Sequence, residues 1–162
     1  MKRVVIILTA VAVVATAVTG VMVWRLTRGH QPDLPEVSAY SHGQLARVGP
    51  YRYCDVFDLN KCEIPQAQGE LPVNDRDPVQ VSVPDAIARA PWRLLKVYEN
   101  PIDTTVSVFR PDTRLAVTIP TVDEQRGRLT GIAVQLLTLV QDQTGEVFDV
   151  PHAEWSVRTT WS

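Results

Sequence analysis

Apolar side chains follow two different patterns along this chain, and the change between them divides it. Residues 4–24 read VVIILTAVAVVATAVTGVMVW, an unbroken apolar run without a charge. Its polar side chains are Thr9, Thr16 and Thr19, whose hydroxyls can turn back to carbonyls of the preceding turn. Twenty-one residues at about 1.5 Å each span roughly 31 Å, close to the hydrocarbon thickness of a bilayer. The run predicts one transmembrane helix within residues 1–30, because only a helix satisfies its own backbone in lipid. Lys2 and Arg3 on one flank, and Trp24, Arg25 and Arg28 on the other, are the expected membrane-interface residues. The competing expectation is a cleaved signal peptide, with Ala15-Thr16-Ala17 as the small-x-small site. Against it, the apolar run continues from Val18 to Trp24 without a polar approach to the cut.

Residues 31–36, with Pro32 and Pro35, predict a short extended stalk. From Val37 an alternation of period two begins. Alternation is expected at Val37 and Ala39, at residues 45–48 before the Gly49-Pro50 turn, and at Leu71 and Val73. It is cleanest at Val79, Val81 and Val83. Residues 84–90 predict one helical turn with Ile87 covering a sheet edge. Residues 92–98 then form a strand with Trp92, Leu94, the Lys96 stem and Tyr98 on one side. Strands follow at 104–109 and 114–119, with a charged, solvated segment at 122–128. Residues 129–141 read as one long strand, turning at 141–145 into a return through Phe148 and Val150. A separate final strand is expected over 153–161. About eight or nine short strands between Pro and Gly turns predict a mainly β domain over residues 37–162. Its expected form is an immunoglobulin-like two-sheet sandwich preceded by the one helix, with an open barrel as runner-up.

Charge sharpens the division. Formal net charge is −2, but four basic residues precede position 30 and no acidic one does. The remaining twelve Lys and Arg against eighteen Asp and Glu leave the rest of the chain at −6. Its arginines are interleaved with carboxylates, which excludes the clustered basic face of a nucleic-acid binder. The basic N-terminus favours an inside start and an exported, extracytoplasmic domain at the cell membrane.

Cys54 and Cys62 enclose Asp55, Asp58, Asn60 and Lys61. That composition predicts a turn between two extended arms, closed by a structural disulfide permitted by export. Alternatives stay open at this level. A zinc site needs two more ligands, a calcium loop needs a glycine and spaced carboxylates, and a reactive thiol needs a basic partner.

Candidate chemistry is sparse. No phosphate-cradling loop, nucleophile elbow or metalloprotease motif occurs, so no cofactor, no metal and no enzymatic activity are expected. His42 beside Ser41 suggests acyl transfer but lacks a third member. His152 and Glu154 share strand parity, as two metal ligands would, with no third. Trp92, Tyr98, His152, Trp155 and Trp161 are the candidate partner or ligand surface, with burial as the competing reading for the tryptophans.

The segments VSAYSHGQLARVGPYRYCDVFDLNKC, VSVPDAIARAPWRLLKVYE and FDVPHAEWSVRTTW resemble an uncharacterised actinobacterial, mainly mycobacterial, family of membrane-anchored proteins. The resemblance covers nearly the whole chain and implies a cell-envelope location. It brings no activity and no catalytic residues. The expectation is therefore an accessory or interaction subunit of a larger membrane protein complex. The alternative is a binding module for an envelope lipid or glycan, which requires a pocket between the sheets or at one open end.

Overall fold

The computed structural model describes residues 12–23 and 34–161. Two compact units, 1–33 and 34–162, make up the chain. In the first, α1 covers residues 12–23. Thr16 and Thr19 donate their hydroxyls to the carbonyls of Ala12 and Ala15, both at 2.8 Å, as expected for threonines in an apolar helix. Among the described residues no helix is long and apolar enough to cross a membrane. Lys2, Arg3, Trp24, Arg25 and Arg28 lie outside the described residues.

The second unit is mainly β, two sheets packed as a sandwich. Its strands are β1 (Val37–Ser41), β2 (Gln44–Val48), β3 (Arg52–Cys54), β4 (Cys62–Glu63), β5 (Gln68–Val73) and β6 (Val79–Ser82). After α2 (Asp85–Ala88) come β7 (Trp92–Tyr98), β8 (Thr105–Phe109), β9 (Ala116–Ile119), β10 (Val122–Asp123), β11 (Gly127–Gln141) and β12 (Val147–Trp161). The small sheet runs β2-β1-β6-β9. The large sheet runs β4-β3-β12-β11-β7-β8, with β10 added to β11 and β5 added to β12. Among the described residues every pairing is antiparallel except β5 with β12. Four strands against eight depart from the near-even split of an immunoglobulin domain.

Alternation fixes which face is buried. Val37, Ala39, Val79 and Val81 line the inner face of the small sheet; Trp92, Leu94, Ile132, Val134, Trp155 and Val157 line that of the large one. Ile87 of α2 is fully buried, and Asp112 N–H bonds the Ala88 carbonyl to hold the following turn. Gly69 is required where the sheets converge between β2 and β5, because a Cβ there would stand 2.3 Å from Val48 Cγ2.

Two irregularities depart from simple alternation. At Thr130 the β11–β7 register slips between Leu129 and Gly131, and Thr130 donates its hydroxyl to the Val97 and Tyr98 carbonyls. The slip turns Leu129 inward, where it is fully buried. In the β11–β12 ladder, Leu136 opposes Ala153 and Leu137 opposes Pro151, so His152 is the extra residue of a bulge. The return and final strands expected as separate pieces are thus one strand, β12. Pro151 interrupts nothing because a bulge tolerates its missing N–H.

The interior is mainly aliphatic, with Trp92, Tyr98 and Trp155 buried in it. Trp92 is fully buried against Phe109, with ring centroids 4.3 Å apart, and its Nε1 meets no acceptor. Trp155 is as deeply buried, but its Nε1–H donates to the Pro35 carbonyl at 2.7 Å. The end of the expected stalk is therefore laid against the domain at Pro35. Trp161 donates to the Leu129 carbonyl at 3.0 Å while the Arg128 guanidinium covers its ring at 4.8 Å. Trp155→Phe strands a carbonyl, whereas Trp92→Phe removes an N–H that had no partner. In urea unfolding, Trp155→Phe should cost about 1 kcal/mol more than Trp92→Phe. Equal losses would contradict this assignment.

Candidate functional site

The residues expected to form a partner or ligand surface do not form one. Trp92, Tyr98, His152 and Trp155 are all buried and Trp161 is half-buried. Period-two alternation places the four aromatics on the inner face of the large sheet, so the space between the sheets is occupied by side chains. His152 follows from its bulge. Its Nδ1–H donates to the Cys54 carbonyl at 3.1 Å, and its ring stands edge-on to Tyr53, centroids 6.0 Å apart. Glu154 is on the opposite, outer face, so the parity argument for a His152–Glu154 metal pair is lost. Among the described residues no group of three His, Cys, Asp or Glu side chains is placed to hold a metal ion.

Ser41 and His42 come together at 3.3 Å, Oγ to Nδ1. His42 and Gly43, with φ of 35° and 87°, form the β1–β2 turn. Ser41 is fully buried, with no access for an acyl substrate. Cys54 and Cys62 are joined as a disulfide that closes the β3–β4 hairpin. Asp55 accepts the Phe57 N–H at 2.8 Å, and Phe57 stands 99% exposed on that loop.

The built polar feature of the domain lies on the outer face of the large sheet. Registered pairing sets Arg93, Gln135, Glu154 and Arg52 in one row across β7, β11, β12 and β3. Arg93 Nε donates to Gln135 Oε1 at 2.6 Å, and Gln135 Nε2 donates to Glu154 Oε2 at 2.7 Å. Arg93 also approaches Asp149 at 3.9 Å, and Arg52 reaches the Pro151 carbonyl at 3.4 Å. Gln135 is buried, so the row is a fixed relay of satisfied groups. Beside it is an open depression of about 390 Å³, lined by Gln68, Val97, Gly131, Ala133, Ser156 and Arg158. It exists because the residues at its floor are small. Gln68 Nε2 donates to Ser156 Oγ at 3.3 Å, so the hydroxyl faces an amide and no base.

The second outward feature is an arm. β7 pairs with β11 as far as Leu136, and β3 pairs with β12 at Ala153 and Glu154. Beyond them, Thr138–Gln141 and Val147–Val150 pair only with each other among the described residues. Leu139 and Val147 share one face of this ribbon and are 71% and 56% exposed. Val140, Phe148 and Val150 share the other, with Phe148 45% exposed. β3 runs antiparallel to β12, so the Phe57 loop projects past the same end of the sheet. At the arm's tip Asp142 accepts from the Thr144 hydroxyl at 2.7 Å and from the N–H groups of Thr144 and Glu146 at 2.8 and 3.0 Å. The Thr144 hydroxyl leads in holding its carboxyl below the ordinary aspartate range, against a smaller desolvation in the other direction.

Sequence reasoning read the hairpin through residues 141–145 but neither its projection beyond the sheet nor the polar row. Gln135 did carry a signal, as the lone amide within an apolar run. The hairpin's projection carried none, because where β7 and β3 stop is decided by pairing.

A family described as a protein of unknown function, DUF2771, matches residues 30–160. The chain is 67% identical over 159 residues to the uncharacterized protein Mb0899c of Mycobacterium bovis, covering 98% of each chain. The same identity and coverage hold for the uncharacterized proteins MT0898 and Rv0875c of Mycobacterium tuberculosis. No solved structure matches.

Two outcomes test this geometry. Gln135→Leu breaks the relay between Arg93 and Glu154 and should cost about 1–2 kcal/mol in urea unfolding; an unchanged midpoint would mean the row contributes nothing. Because the Asp142 carboxyl is depressed in the folded arm, its ordering of the tip is complete above the unfolded aspartate pKa. That ordering is lost as pH falls through the lower, folded value. The Thr144 and Glu146 amide resonances should titrate with a midpoint below that of an ordinary aspartate, and Thr144→Ala should raise it.

Proposed function

The chain belongs to the DUF2771 family of unknown function, and on that footing we propose that it is an accessory subunit of a larger envelope membrane complex. It is held at the cell membrane by its N-terminal apolar segment and docks through the β11–β12 arm. The observation that carries this reading is the arm itself. An isolated two-stranded ribbon is marginal in water, yet this one extends beyond its sheet with apolar side chains exposed on both faces. Side chains so placed gain stability when a partner removes them from water. Asp142, Glu146 and Asp149 surround them, which favours a partner surface rimmed by Lys or Arg.

The tether rests on the uncharged run of residues 4–24 and the basic residues on both sides of it. Slight excess charge at the start favours a cytoplasmic N-terminus and an exported domain. The Cys54–Cys62 bond fits an oxidising compartment. Tethering would keep the domain at high local concentration near its complex, so that a modest interface suffices.

A second reading has one observation in its favour. The outer-face depression offers Gln68, Ser156 and Arg158 around an apolar floor, which suits a polar-edged group such as a sugar ring.

Mild-detergent extraction of the membrane fraction, followed by identification of co-purifying proteins, tests the first reading. The wild-type chain should carry a defined partner, and Leu139→Asp with Phe148→Asp should release it. A chain that migrates alone with glycan or lipid retained would support the second reading. Recovery as a soluble species lacking residues through Ala17 would overturn the tether.

A further inference from the structure

β8 and β9 end the two sheets on one side of the sandwich, and the turn after Phe109 links them. Edge strands in natural sheets are blunted by charge, proline, a bulge or shortness, because their outward N–H and C=O groups template further pairing. The large sheet's other end is blunted: β4 has two residues and is fixed by the Cys54–Cys62 bond. β8 carries none of these devices. Thr105-Val-Ser-Val-Phe has no charge and no proline, and its five pairs with β7 run without a register shift. On its outer face Val106 and Val108 are 53% and 65% exposed.

We propose that β8 pairs antiparallel with β8 of a second copy, with the two-fold axis at Ser107. The sequence is self-complementary in that register. Val106 of each chain opposes Val108 of the other, so four exposed valines close into one cross-strand patch. The flanks also match. Asp103 precedes the strand and Arg110 follows it. Antiparallel pairing about Ser107 sets Arg110 opposite Thr104 of the second copy, beside Asp103, whereas parallel pairing would align like charges. Identical edges pairing antiparallel generate a closed, isologous dimer, and the two large sheets become one. Five residue pairs cover less than a standard interface of roughly 1,600 Å². The dimer is therefore weak and depends on concentration, which a shared membrane tether would raise.

Cysteine cross-linking reads the register directly. The sequence has two cysteines and they are bonded to each other, so an introduced thiol is the only free one. In the full-length chain, dispersed in mild non-ionic detergent and oxidised with copper-phenanthroline, Ser107→Cys should give a covalent dimer on a non-reducing gel. Thr118→Cys, exposed on β9, should cross-link at least tenfold more slowly. Adding Val106→Asp to Ser107→Cys should lower the dimer yield by a similar factor. Val108→Lys serves as an independent second disruption, with tryptophan fluorescence checking that each variant is folded. Equal cross-linking at Ser107 and Thr118, no cross-link at Ser107, or a Ser107 cross-link that survives both valine substitutions would overturn the proposal.

Discussion

The pairing of β11 with β12, offset by one extra residue at His152, is the constraint on which the rest of this domain depends. Each strand is fifteen residues long, and their ladder is the longest in the protein. Every other strand of the large sheet attaches to this hairpin directly or through one that does. β7 and β10 lie on the β11 side; β3 and β5 divide the edge of β12. A one-residue slip in a strand exchanges its two faces, so where the bulge falls decides what is core. From Ala153 onward the ladder serves the interior, with Trp155 and Val157 facing the small sheet. Before it, the same two strands leave the body as the arm. His152 fixes the point of change, since its imidazole is bonded to the Cys54 carbonyl and cannot move without the disulfide hairpin.

Much of this was legible because one buried face imposes alternation. Val79–Ser82 and Trp92–Tyr98 read correctly from their valines and alternating large residues, and Pro84 with Ile87 marked α2. The long strand of β11 was visible in its β-branched density. What escaped had physical causes. The return through Phe148 and Val150 and the strand over 153–161 were read apart, and they join because the bulge beside Pro151 makes its missing donor harmless. β5 contains Pro72 and pairs in parallel, which no local signal announces. Leu129 falls out of phase with Ile132 and Val134 until the slip at Thr130 turns it inward. The tryptophans and Tyr98 were ambiguous by nature, as a large aromatic serves a core or an interface equally well; strand parity alone resolves them toward the core.

That resolution changes where function can reside. With Trp92 and Trp155 buried between the sheets, a ligand site in the interior would first have to displace the side chains that hold the sheets together. The depression on the outer face is free of that conflict but shallow, and its floor owes its shape to Gly131, Ala133 and Ser156. The relay of Arg93, Gln135 and Glu154 beside it stiffens the face. Its groups are engaged with one another, which makes it a better scaffold than a source of reactive acid or base.

Exposed apolar surface is the remaining guide, and it is unevenly distributed. The arm and the Phe57 loop project from one end; Val106 and Val108 lie on an open edge. Their electrostatics differ. Asp142, Glu146 and Asp149 make the arm unsuited to an anionic lipid surface, where each carboxylate would be repelled within a Debye length of about 8–10 Å. A protein surface with basic residues at its rim would be free of that repulsion. β8 is neutral along its length and charged only at its flanks, with opposite signs. A neutral edge selects for register more than for charge, and its own sequence supplies a matching one. The two features therefore differ in kind: one is an apolar arm rimmed by carboxylates, the other a neutral strand edge.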